Sequence, residues 1–384
     1  MLYNDLQNKL SLYQKQGLAR QTIAFSDRDK DSIYINDERY INFTSNDYLG
    51  ISNHAEITKA FIKGVESFGF GSCSSVLVSG YSSIQQKLEE QFAEFVGRDR
   101  AIFFNSGYMA NLGVIIALAS RKSVVFSDKF CHASLLDGIL LSKAKHFRYQ
   151  HQNIEHLKYL ASIACPDIII TESIFSMEGS ITLLADIVEI AKENKSLLLV
   201  DDAHGIGVLG ENGGGICEEV NLSQDDIPCL ITSCSKALGG FGAMVSGRIE
   251  LIEMILQFAK SYRCTTSLSP AICQGLLASL TVIRTEQWRR DKLKENIQTF
   301  IEESGKLGLE LVASNMTPIK SILAYDNKRA VAAQKFLLTK GFLVACIRPP
   351  TVPAKSARIR ISLSCHHTEK QIIEMLSHLE RCLC

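Results

Sequence analysis

The sequence predicts an α/β protein: a mostly parallel central sheet covered by helices, followed by a smaller α+β domain at the C-terminus. Three observations predict it: five short apolar runs without alternation, helical patterns between them, and a change of texture near residue 285. The runs are 101–105 (AIFFN), 123–127 (SVVFS), 167–171 (DIIIT), 197–200 (LLLV) and 229–232 (CLIT). Each is too short for a helix, and unbroken apolarity suits a parallel strand buried on both faces. Amphipathic stretches at 109–119 and 181–193 supply covering helices, the alternation expected of an open α/β sheet. Beyond 285 a charged helix runs to about 305, and β-like pieces follow at 322–325, 342–345 and 358–361. Residues 1–44 read as an N-terminal segment, 45–285 as a large domain and 286–384 as a small one. The run 288–295 (WRRDKLKE) mixes charge signs and reads as a solvated helix face.

With 46% hydrophobic residues in 384, the chain can bury a sizeable core,. Its 41 Lys+Arg balance 41 Asp+Glu, which argues against nucleic acid as a partner. No apolar run approaches the ~18 residues of a membrane span, and the start lacks a basic segment followed by an apolar one. A soluble cytoplasmic protein is expected. The twelve cysteines are scattered, with no Cys-x-x-Cys, and read as free thiols in a reducing compartment. Neither Cys365-His366-His367 nor Cys382-x-Cys384 has structural zinc spacing, so no metal is expected,. His54, His146, His151, His156 and His378 lie among polar neighbours and read as surface residues.

In open α/β sheets, ligands sit outside the carboxyl ends of the strands, so the residues just after each apolar run carry the information. After 101–104 comes Asn105-Ser106-Gly107-Tyr108 and a helix. Free amides and a hydroxyl at a helix N-terminus suit a phosphate, although such a turn by itself can be only a turn. After 197–200 comes Asp201-Asp202-Ala203-His204, where a carboxylate at a buried strand end needs a cation or several donors; a capping Asp with a satisfied His is the plainer alternative. After 229–232 comes Ser233-Cys234-Ser235-Lys236. A lysine amid small residues behind an interior strand is either a Schiff-base nucleophile of lowered pKa or a side chain reaching solvent. Residues 172–179 (ESIFSMEG) form a fourth polar turn at the same edge.

Together these groups are more specific than any one of them. A phosphate cradle, a carboxylate with a histidine three residues on, and a lysine 35 residues after that carboxylate are what pyridoxal 5'-phosphate needs: an amine for the aldehyde, an acid for the pyridinium nitrogen, and N–H donors for the phosphate. At ~4 Å and an effective dielectric of ~20, the acid and the pyridinium attract by ~4 kcal/mol. No Gly-x-x-x-x-Gly-Lys-Ser/Thr occurs, and 69–74 (GFGSCS) lacks a third glycine and a preceding strand, so nucleotide binding is unsupported.

The residues 43–50 (FTSNDYLG), 105–111 (NSGYMAN), His132-Ala133-Ser134, Phe175-Ser176-Met177, 200–205 (VDDAHG), Ser235-Lys236-Ala237 and 347–353 (IRPPTVP) stand in an order covering nearly the whole chain. The chain thereby resembles the α-oxoamine synthases, which acylate an amino acid with a thioester and release its carboxyl as CO2. The resemblance implies the aspartate aminotransferase-like, fold-type I architecture of pyridoxal phosphate-dependent transferases, and a homodimer. It further implies that Lys236 holds the cofactor and later acts as general base, Asp201 faces the pyridinium nitrogen, His132 stacks on the ring, and His204 meets the ring hydroxyl with Ser176 nearby. Ser106, Gly107 and Tyr108 line the cofactor pocket, and Ser233 contacts the phosphate. Asn46 and Arg360 hold the amino-acid carboxylate, while Arg20 and Thr351 meet the acyl substrate. Residues 348–353 with 357–360 (ARIR) most resemble the members that join L-alanine to pimeloyl-coenzyme A or a pimeloyl-acyl carrier protein.

One segment departs from the family pattern. Residues 71–77 (GSCSSVL) stand where relatives usually have glycines and a basic or imidazole side chain, and Gln85 stands where His is common. Side chains restrict that loop, so altered acyl-substrate binding is expected, for example a preference for the carrier-protein thioester. The alternatives are a sister synthase using glycine or serine with another acyl group, and a non-catalytic subunit of the same fold; the presence of Lys236 speaks against the second.

Overall fold

A computed structural model describes residues 2–16, 18–20 and 22–383. Seven strands form the central sheet, in the spatial order Arg100–Phe104, Ala243–Gly247, Cys229–Ser233, Leu197–Asp201, Ile168–Glu172, Val124–Asp128 and Lys145–Tyr149. All neighbouring pairs are parallel except those made by Ala243–Gly247, which runs against both its neighbours. All five predicted runs are strands, each within about one residue of its expected bounds,.

Their alternate side chains feed two separate cores. Ala101, Phe103, Leu198, Val200 and Leu230 pack on one face, and Ile102, Phe104, Leu199, Cys229 and Ile231 on the other. That double burial is why the runs are continuously apolar. Lys145–Tyr149 and Ala243–Gly247 escape the reading for opposite reasons. The first (KHFRY) is an edge strand whose wet positions carry charge,, and the second (AMVSG) is fully buried but built partly from small residues.

A three-stranded antiparallel sheet, ordered Ile319–Tyr325, Ala357–Ser362 and Ala345–Ile347, makes the core of the C-terminal region. The expected piece 342–345 divides between two sheets. Phe342–Leu343 instead pairs in parallel with Glu38–Asn42 and completes a sheet with Asp27–Arg28 and Ser32–Ile35. The first strands of the chain are thus hydrogen-bonded to its last hundred residues.

Two expectations are corrected. The helix Trp288–Lys306 buries Arg289 and Arg290 rather than solvating them. Arg290 Nη1 donates to the Ile283 carbonyl at 2.7 Å and Nη2 to that of Glu211 at 3.1 Å, while Arg289 Nη1 reaches the Leu49 carbonyl at 2.9 Å. Guanidinium groups that satisfy chain carbonyls are tolerated inside, and a mixed-charge pattern does not reveal which members do so. The five histidines read as surface residues are all half-buried: His54 caps the helix Ala55–Phe68 and pairs with Glu286 at 3.1 Å, His146 meets Ser127 Oγ at 2.9 Å, and His151 pairs with Asp128 at 3.1 Å. Cys365, His366 and His367 each hydrogen-bond a backbone carbonyl, those of Leu49, Gly50 and Asn42. Cys384, part of the second grouping, lies outside the described residues.

Candidate active site

Because the strands ending at Phe104, Asp128, Glu172, Asp201 and Ser233 run in one direction, the polar segments that follow them gather at one edge of the sheet,. Lys236 follows Ser233 in a tight turn: the amide of Gly239 bonds the Lys236 carbonyl at 2.8 Å, and that of Gly240 bonds Cys234 at 2.9 Å. Gly239 has φ +64°, and a Cβ there would lie 2.8 Å from the Ser52 nitrogen, so only glycine closes the turn comfortably. Lys236 is partly buried, and its Nζ lies 2.9 Å from His204 Nε2. Burial lowers its pKa to about 8, with Asp201 and Glu172 pulling the other way,.

Asp201 is 7% exposed. One carboxylate oxygen accepts from Asn111 Nδ2 at 2.7 Å and the other from the Ala203 amide at 3.0 Å. It forms no ion pair among the described residues. A buried carboxylate held by neutral donors alone has capacity left for a cation. Glu172, its partner across the strand pair, is also buried and accepts from the His132 amide; burial, then Asp201, push its carboxyl well above the ordinary range. Asp202 is fully buried, accepts from the Ile216 amide at 3.0 Å, and is pushed by burial to about 7.

His204 connects two halves of the site. Its Nδ1 is 2.7 Å from the Tyr48 hydroxyl, which lies 3.2 Å from Asn46 Oδ1. Arg360 Nη2 donates to that same Asn46 oxygen at 3.2 Å, Nε to the Ser176 carbonyl at 2.6 Å, and Nη1 to Ser362 Oγ at 3.0 Å. Burial, then Lys236 and Arg360, hold the imidazole pKa well below its usual value, so the ring is neutral. Ser176 therefore enters through its backbone carbonyl.

The remaining expected residues are arranged as follows. Ser106 caps the helix Gly107–Leu118, taking the Met109 amide on its hydroxyl at 3.2 Å and the Ala110 amide on its carbonyl at 2.9 Å. The amides of Gly107 and Tyr108 are left for an anion, and open space lies where a Cβ on Gly107 would project. The Tyr108 hydroxyl is engaged with Asp137. His132 caps the next helix, Ala133–Ser142, and its Nδ1 lies 2.8 Å from Ser134 Oγ. Ser233 Oγ lies 2.9 Å from Ser235 Oγ. Arg20 and Thr351, separated by 331 positions, meet at 3.1 Å; among the described residues, the hydrogen bonds around Lys236, Asp201 and Arg360 do not extend to them. In the divergent loop, Cys73 has φ 56° and Val76–Gly80 forms a π-helical turn. Gln85 is buried between Ser267 and Glu89.

Sequence reasoning assigned no role to Tyr48, Asn111 or Glu172. Asn111 stands one turn after Gly107 on the buried side of its helix, and a polar residue on an otherwise apolar helix face was the available signal.

The donor set fits pyridoxal phosphate: an amine of lowered pKa, a buried carboxylate in no ion pair among the described residues, and a capped helix start with amides and space in front of it. The chain matches the Aminotransferase class I and II family over residues 38–379. It is 41% identical over 379 residues to an 8-amino-7-oxononanoate synthase of Pseudomonas savastanoi pv. phaseolicola, covering 98% of this chain and 96% of that protein. Among solved structures it is similar to the 8-amino-7-oxononanoate synthase of Francisella tularensis, with a TM-score of 0.80 and 36% identity over 89% of this chain and 97% of that one. It is also similar to a serine palmitoyltransferase of S. paucimobilis with bound PLP–myriocin, with a TM-score of 0.92 and 26% identity over 99% and 97%. The chain belongs to the class I and II aminotransferase family, among its pyridoxal phosphate-dependent 8-amino-7-oxononanoate synthases.

Proposed function

We propose that the protein condenses L-alanine with a pimeloyl thioester to give 8-amino-7-oxononanoate, CO2 and a free thiol, a step of biotin biosynthesis. The observation that carries the reading is the path from Lys236 through His204, Tyr48 and Asn46 to Arg360. It sets an amine base beside a guanidinium able to take an amino-acid carboxylate.

Pyridoxal phosphate, when bound, supplies the electron sink that makes a carbanion at the α-carbon of alanine accessible. Lys236 would hold it by its aldehyde and would supply the base for the α-proton; its lowered pKa leaves a usable fraction of free amine near neutral pH,. Asp201, held in place by Asn111 and the Ala203 amide, would keep the proton on the ring nitrogen. His132 would cover the ring face and His204 would bond the ring hydroxyl, with Ser176 on that side. Ser106, Gly107, Tyr108 and Ser233 would surround the phosphate end. Asn46 and Arg360 orient the alanine carboxylate until it leaves as CO2, and Arg20 with Thr351 receives the acyl chain.

Residues 45–285 serve as the cofactor-binding domain and 286–384 as the small domain. The pairing of Glu38–Asn42 with Phe342–Leu343 supports grouping the strands of 1–44 with the latter. We read the protein as a cytoplasmic homodimer; among the described residues no helix is long and apolar enough to cross a membrane. The 71–77 loop favours a carrier-protein thioester over pimeloyl-coenzyme A, a preference that equal turnover of both would refute.

The test is mass detection of 8-amino-7-oxononanoate after L-alanine is added with each pimeloyl thioester. Product with at least one is expected, and its absence with both overturns the reading. The likeness to serine palmitoyltransferase makes L-serine with palmitoyl-coenzyme A the rival pair to run beside it.

A further inference from the structure

Tyr48 is completely buried, and its hydroxyl stands between two groups that each want its one hydrogen. His204 Nδ1 is at 2.7 Å and Asn46 Oδ1 at 3.2 Å. A phenol donates once. An ammonium at Lys236 can only donate, so with Lys236 charged, His204 Nε2 must accept and the ring proton sits on Nδ1,. Tyr48 then accepts from Nδ1–H and gives its own hydrogen to Asn46, whose oxygen also receives Arg360. With a neutral acceptor at Lys236 the ring can carry its proton on Nε2. Nδ1 then takes the Tyr48 hydrogen, and Asn46 keeps only Arg360.

We propose that Tyr48 is a positioning residue whose single hydroxyl hydrogen couples the protonation state on the Lys236 side of the site to the Asn46–Arg360 grip on the substrate carboxylate. The charged and titratable groups acting on Lys236 are Asp201, Glu172, Arg360 and Asp202, and those acting on His204 are Lys236, Arg360 and His132. Arg360 also bears directly on the Tyr48 phenol, and among the described residues the phenol is the group hydrogen-bonded to both His204 and Asn46. Coupling of this kind is reciprocal: a ligand on Arg360 that withdraws a donor from Asn46 favours the arrangement in which Tyr48 donates there.

The inference rests on the pyridoxal phosphate reading, and the experiment separates the two. Holoenzyme of the parent, Tyr48→Phe, His204→Asn and the double variant is titrated with alkali while the visible chromophore is recorded, and L-alanine binding is followed by the same absorbance. No chromophore in the parent sinks the cofactor reading. Given a chromophore, Tyr48→Phe is expected to move its apparent pKa by about half a unit or more and to weaken L-alanine binding about threefold. In the His204→Asn background the same substitution should move the apparent pKa by less than about 0.1 unit. An unmoved titration in Tyr48→Phe, or an equal shift in both backgrounds, overturns the proposal. Should Tyr48→Phe fail to give folded holoenzyme by near-ultraviolet dichroism, Asn46→Ala reads the same link from its other end. It must shift the chromophore titration in the presence of Tyr48, and no shift overturns the coupling.

Discussion

Replacing Lys236 with methionine should stabilise the cofactor-stripped protein while abolishing its chemistry. The folded amine has its pKa lowered from 10.5 to about 8, a shift worth about 3 kcal/mol at about 1.36 kcal/mol per unit. Below pH 8 the amine is charged in both the folded and unfolded chains, so the full cost of holding it in the site falls on the native state. Methionine keeps the length and apolar stem of the side chain but leaves His204 Nε2 without its 2.9 Å partner, a loss of about 1 to 1.5 kcal/mol. A net gain of about 2 kcal/mol remains at pH 7. As pH rises through 8 the folded parent sheds its proton while the unfolded chain keeps it to about 10.5, so the parent's stability climbs with pH. By pH 9.5 it has regained about 2 kcal/mol, and the two proteins should unfold together. Urea midpoints at pH 7 and pH 9.5 measure both quantities. If the variant unfolds first at pH 7, or its advantage persists unchanged at pH 9.5, the amine is not held under this strain.

Arg360→Lys can replace at most one or two of the three hydrogen bonds made by the guanidinium. The KM for L-alanine should rise about 10- to 100-fold with the thioester KM little changed, as steady-state kinetics varying each substrate will show. Asp201→Asn keeps the size of the side chain but removes the charge, and a loss of ~4 kcal/mol lowers kcat by about three orders of magnitude; full activity would mean another group protonates the ring. Arg290→Ala strands the Ile283 and Glu211 carbonyls and should cost about 3 kcal/mol by denaturant unfolding. Lys292→Ala, two residues along on the exposed side, should cost under about 0.5 kcal/mol.

The site was legible where chain direction alone places chemistry. Five strands pointing one way guarantee that Ser106, His132, Asp201, His204 and Lys236 gather at one edge, whatever the loops do between them. Roles that depend on partners distant in sequence were less legible. Tyr48 meets His204 across 156 positions and Arg20 meets Thr351 across 331; no local pattern marks either meeting. Glu172 looked like part of a polar turn until its place in register with Asp201 made it a second buried carboxylate. Arg290 belongs to the same limit, since its environment is made by residues 211 and 283 rather than by its neighbours in the charge run.

The sequence by itself determined the buried parallel strands, the polar residues that follow them and the lysine, acid and helix cap that suit one cofactor, because burial on two faces and a strand's carboxyl end leave a signature within a few residues. Tertiary structure alone decided where the chain changes sheets at Val344, which charges are enclosed, and how one phenol comes to lie between an imidazole and an amide. Those outcomes depend on which distant segments are brought within hydrogen-bond reach, and the free energy of each contact belongs to the pair and not to either residue's local sequence.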